Sequence, residues 1–168
     1  MSIYINIFLI SVILVFSTKI NAASLSASAL ERGINPVCSK YLEQIETSYE
    51  LKGLNITFAH PELPAQFPSL HISSKNYNNG ASTFSATLIP DGDYCYLSTV
   101  IVTSTINQNC SEITQRKVSM DSELTVAIYS DGQYSILTPS DNSYQIILTS
   151  MGNNGCTMTE TRMIWPGK

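Results

Sequence analysis

From Leu54 to Trp165 the chain alternates apolar and polar side chains in short runs, each closed by turn residues. A period of two places successive side chains on opposite faces of a strand, so this stretch reads as β-structure. The runs are Leu54–Ala59, Leu70–Ser74, Thr83–Ile89, Tyr94–Ile106, Glu112–Ser119, Leu124–Ser130, Gln133–Thr138, Tyr144–Ser150 and Cys156–Trp165. Between them stand Asn76-Tyr77-Asn78-Asn79-Gly80, Pro90-Asp91-Gly92-Asp93, Asn107-Gln108-Asn109 and Gly152-Asn153-Asn154-Gly155. Asp131-Gly132 is the strongest hairpin signal, and it sets Tyr129 opposite Tyr134. Strands joined by turns this short pair antiparallel.

The segment before these strands has a different period. Val37, Cys38, Tyr41, Leu42, Ile45 and Tyr49 recur three and four apart, while Ser39, Lys40, Glu43, Gln44, Glu46, Thr47 and Glu50 fill the other side. Asn35 suits an N-cap, Pro36 the first helical position and Gly53 the residue past the end, which predicts a helix over 36–52. Residues 23–34 read as a flexible or weakly helical lead-in. The expected fold class is α+β: an N-terminal amphipathic helix packed on a twisted antiparallel β-meander of about six to eight strands. No internal repeat or domain linker is evident, so 23–168 reads as a single domain.

The first residues carry a different message. Between Ile3 and Phe16 only Tyr4, Asn6 and Ser11 interrupt the apolar run, and Lys19 is the first charge. The run is shorter than the roughly 20 apolar residues a spanning helix needs, and Asn21-Ala22-Ala23-Ser24 supplies small residues for cleavage. Residues 1–22 are therefore expected to be a signal peptide, leaving a product in the periplasm or the medium with no membrane insertion. An exported chain sees an oxidising compartment, where Cys38, Cys95, Cys110 and Cys156 should form two disulfides. Four cysteines allow three connectivities. Loop length favours Cys95–Cys110, with Cys38–Cys156 tying the start of the chain to its end.

Charge narrows the partners. Losing Lys19 takes the net charge from −4 to −5, which argues against nucleic acid and suits a basic protein partner. Catalytic patterns are missing from the sequence. The two histidines, His60 and His71, match no metal-ligand spacing, and His71 reads as a half-exposed strand residue. There is no nucleophile elbow, and no glycine-rich phosphate loop. Asp91 and Asp93 form a close acidic pair, but they flank Gly92 in a turn. No enzyme activity and no cofactor are expected. The sequons Asn55-Ile56-Thr57 and Asn109-Cys110-Ser111 would matter only in a eukaryotic secretory pathway, and a compact leader before a small domain fits a bacterial envelope protein.

What remains is recognition. The loop from His60 to Pro68 contains Pro61, Pro64 and Pro68, so it is stiff before it meets a partner. Candidate contacts are His60, Glu62, Leu63 and Phe67 in that loop, with Asp91 and Asp93. The expected function is an exported binding protein of the inhibitor or immunity type; the alternatives are a structural or adhesive subunit and a small-ligand carrier.

Overall fold

The computed structural model describes residues 23–164, so the expected signal peptide at 1–22 and Trp165 lie outside the described residues. Helix α1 (Leu25–Glu31) and helix α2 (Pro36–Ser48) precede strands β1 (Leu54–Phe58), β2 (Ser69–Tyr77), β3 (Gly80–Asp91) and β4 (Tyr94–Ile106). Helix α3 (Cys110–Met120) precedes β5 (Thr125–Tyr129), β6 (Tyr134–Thr138), β7 (Tyr144–Met151) and β8 (Gly155–Ile164). One sheet holds all eight strands in the order β1-β2-β3-β4-β8-β7-β6-β5, every pair antiparallel.

That order differs from a simple meander. A helix followed by a four-stranded meander occurs twice, and the two meanders join through their last strands, β4 against β8. Each helix opens on an asparagine cap, Asn35 for α2 and Asn109 for α3, and carries its bonded cysteine in the first turn, Cys38 and Cys110. The repeat escapes sequence inspection because the matching residues are confined to the helix start and the bonded cysteine.

The disulfides are Cys38–Cys95 and Cys110–Cys156, which corrects the expected Cys95–Cys110 and Cys38–Cys156. The reason is strand length. Cys95 is the second residue of β4 and Cys110 follows its far end, so the strand holds them apart by roughly 35 Å. Disulfide-bonded Cα atoms lie within about 7 Å. Each observed bond instead runs from the first turn of a helix to the second residue of its unit's last strand.

Residues 112–119 are helical, not the expected strand. The Asn109 side chain accepts from the Glu112 N–H while the Glu112 carboxylate accepts from the Asn109 N–H, a reciprocal cap that starts α3. Cys110 and Ile113, one turn apart, are its buried face. Residues 25–31 also form a helix: Ser24 caps it, and the Glu46 carboxylate of α2 accepts from the N–H groups of Leu25 and Ser26 at its positive end.

Helix α2 stops at Ser48, short of the expected 52. Leu51 N–H bonds Glu46 C=O and Glu50 N–H bonds Thr47 C=O, with Glu50 at φ 49° in the left-handed position usually given to glycine. Gly53 serves another purpose: a Cβ there would lie 2.0 Å from the Ser74 carbonyl oxygen, so glycine lets the chain enter β1 against β2.

The buried side chains form two clusters. Leu25, Ala29, Cys38, Leu42 and Ile45 of the first two helices share one with Phe84, Ala86, Leu88, Cys95 and Leu97. Cys110 and Ile113 of α3 share the other with Leu124, Leu137, Ile146, Leu148 and Cys156. The β4–β8 register pairs Thr105 with Cys156, so Cys95, Leu97 and Cys156 face the same way. All three helices therefore lie on one face of the sheet.

Candidate functional site

The β1–β2 connection is held by its own side chains. His60 Nδ1 accepts from the N–H groups of Glu62 (3.3 Å) and Leu63 (3.1 Å). Gln66 N–H then closes a turn onto Leu63 C=O at 3.1 Å. With Nδ1 used as an acceptor, the neutral ring carries its proton on Nε2. The ring stacks on Phe67, centroids 4.5 Å apart and planes 18° from parallel. On the helix side Pro64 crowds Gly33, whose φ of +74° and small size both suit the contact. Four of the sequence candidates thus share one loop, with Leu63 and Phe67 each 43% exposed.

The other two candidates lie at the same end of the sheet. Ser69 opens β2 opposite Leu88, and Asp91 closes β3 three residues later, before the turn at Gly92 and Asp93. Asp91 pairs with Tyr94 in register and its carboxylate takes the Tyr96 hydroxyl hydrogen bond. That bond and the nearby negative charge raise the Tyr96 pKa above the ordinary tyrosine value.

Sequence reasoning missed the environment of His71, which is buried rather than half-exposed. Its Nε2 lies 2.9 Å from Ser69 Oγ and its Nδ1 lies 3.1 Å from Thr57 Oγ1, and both hydroxyls are buried too. Desolvation lowers the His71 pKa to about 4, so the ring is neutral at physiological pH. A serine beside a histidine resembles a nucleophile and its base. Here a hydroxyl occupies the orienting position and substrate has no approach, so the group cross-links β1 to β2. The alternation Ser69, His71, Ser73 on one strand face was the available signal.

Other features narrow what the surface can do. Two open hollows are large enough for a small ligand, one of about 760 Å³ beside the end of α2, lined by Glu43, Glu46, Glu50 and Asn55, and one of about 660 Å³ lined by Asp141, Tyr144 and Arg162. A third, of about 210 Å³ between Tyr49, Lys75 and Phe84, is smaller than ligand pockets usually are. Among the described residues no group of three or more His, Cys, Asp or Glu could hold a metal ion, and no helix is long and apolar enough to cross a membrane. Both sequon asparagines have structural bonds: Asn109 caps α3, and Asn55 donates to Ala23 C=O. Two disulfides accord with an oxidising compartment. Comparison with protein-family models, with curated proteins and with solved structures found no match.

Proposed function

We propose that this protein is an exported binding module, periplasmic or secreted, that captures another protein through the His60–Pro68 loop, as inhibitors and immunity proteins do. The observation that carries this reading is the fixed presentation of Leu63 and Phe67. Both side chains stay exposed while His60 and the prolines hold the backbone, so binding would order little additional chain. Glu62, Asp91 and Asp93 add negative charge at the same end of the sheet, which favours a basic cleft as the target.

The test is affinity capture from envelope extract with the oxidised protein and with a Leu63→Asp/Phe67→Ser variant. A single stoichiometric partner, basic in charge and lost with the variant, is the expected result. Capture of nothing, or of the same proteins by both baits, would sink the proposal. The runner-up is a subunit of a surface assembly, favoured by the bare face of the sheet opposite the helices.

A further inference from the structure

The helices cover one face of the sheet, and among the described residues nothing covers the other. Register and alternation assign to that face Leu54, Ile56 and Phe58 of β1, and Thr83, Ser85 and Thr87 of β3. At its centre are Ser98, Val100, Val102 and Ser104 of β4 against Thr157, Thr159 and Thr161 of β8. Ile147 and Thr149 of β7, then Tyr134 and Ile136 of β6, continue it toward Ala127 and Tyr129 of β5.

A sheet face turned to water is normally polar, and this one is polar through serine and threonine rather than through charge. Across the strands of this one no Asp, Glu, Lys, Arg or His occurs except Asp91 at one end, already bonded to Tyr96. The charges of the central strands, Glu160 and Arg162, lie on the helix side, where they pair at 3.4 Å. Several hydroxyls on the bare face are bonded within it. Ser104 meets Thr157 at 3.1 Å, Ser74 meets Thr83 at 3.2 Å, and Ser85 donates to Val100 C=O at 3.4 Å. Groups already paired in the sheet can be dried by an apolar partner without losing those bonds.

We propose that this face is the interface of a homodimer, two copies stacking sheet on sheet at about 10 Å as in a β-sandwich. Two observations favour a second copy as the occupant. The first is area: eight strands about 4.8 Å apart and some 25 Å long present on the order of 800 Å² per partner, what a stable interface requires. The second is symmetry. The strand order reads as helix-bearing meander, β4, β8, helix-bearing meander from either edge, so a twofold axis lays each meander over a meander. A copy also brings an equally uncharged face, whereas helix-side contacts would set net-acidic surfaces together. This surface is separate from the His60–Pro68 loop, and the inference does not rest on the capture reading.

The protein expressed from its full sequence, oxidised and with its N-terminus read by mass spectrometry, is examined by sedimentation velocity over a dilution series. A reversible dimer is expected. Val102→Glu and Thr159→Lys, each placing a charge at the centre of the face, should weaken it on the order of 100-fold or more. Lys40→Glu on the exposed side of α2 should leave it intact. Near-ultraviolet circular dichroism establishes that each variant is folded, and Thr159→Lys serves if Val102→Glu is not. A wild-type monomer at every concentration would overturn the proposal. So would a dimer that survives both charges in folded variants, since that dimer would form through another surface such as the edge strands β1 or β5.

Discussion

Cys38 in the first turn of α2 is bonded to Cys95, the second residue of β4, and the bond anchors the helix at one end of its unit's last strand. Cys110 and Cys156 repeat the relationship in the second unit. The bonds close sequence separations of 57 and 46 residues, long loops whose entropy is removed from the unfolded chain. Chain-closure arguments give about 4 kcal/mol for each as an upper figure. Replacing Cys38 and Cys95 together by alanine should lower stability by about 2–4 kcal/mol in urea unfolding. Non-reducing peptide mapping should return 38–95 and 110–156; recovery of a 95–110 peptide would contradict the fold.

The buried imidazole makes stability depend on pH. His71 has a folded pKa of about 4 against an ordinary value of 6.5, so the unfolded chain binds the proton first. Its stabilising contribution is present in full above pH 6.5 and is lost as pH falls toward 4. The loss attributable to this ring is about 3 kcal/mol across that window. Carboxylates titrate there as well, so the measurement is a difference. Urea unfolding of wild type and His71→Gln at pH 7, 5.5 and 4.5 should show the wild type falling more steeply. Parallel curves would mean the ring is not held neutral.

Glu50 is a β-carbon residue in a glycine conformation. Its φ of 49° closes the end of α2, and its negative charge faces the negative end of the helix dipole. Glu50→Gly should stabilise the protein by roughly 0.5–1 kcal/mol, the relief of the left-handed strain exceeding the added freedom of the unfolded chain. Thermal unfolding reads the sign, and a lowered midpoint would refute it.

The elements that were legible in the sequence are those whose signals are local. Asn35, Pro36 and the apolar spacing gave α2, and Asp131-Gly132 gave the β5–β6 hairpin with Tyr129 opposite Tyr134. Strand β4 was also found end to end because its β-branched run is bounded by turns. What escaped depends on distant partners. The pairing of β4 with β8 decides the sheet order and the disulfides, yet α3, β5, β6 and β7 lie between those strands in the chain. The burial of His71 involves Thr57 of the neighbouring strand β1, and α1 needs Glu46 from the next helix to start. Of the candidate site, the clustering of His60, Leu63 and Phe67 was readable from the prolines. The uncharged face was not, because it requires knowing which residues of eight strands point the same way.

Helix α3 is the element where local preference and capping disagree, and it offers the last test. Ile113, Thr114 and Val118 favour a strand, while the Asn109–Glu112 cap and the burial of Cys110 and Ile113 favour a helix. If the cap decides, Asn109→Ala should cost about 1 kcal/mol, within the range for loss of an asparagine cap. The loss should be seen first as faster amide exchange at residues 110–113, before any change in the β-sheet. Ser111→Ala, which keeps the cap, serves as the comparison and should have little effect on exchange. Equal exchange in Asn109→Ala and wild type would mean that packing and the Cys110–Cys156 bond hold this helix without the cap.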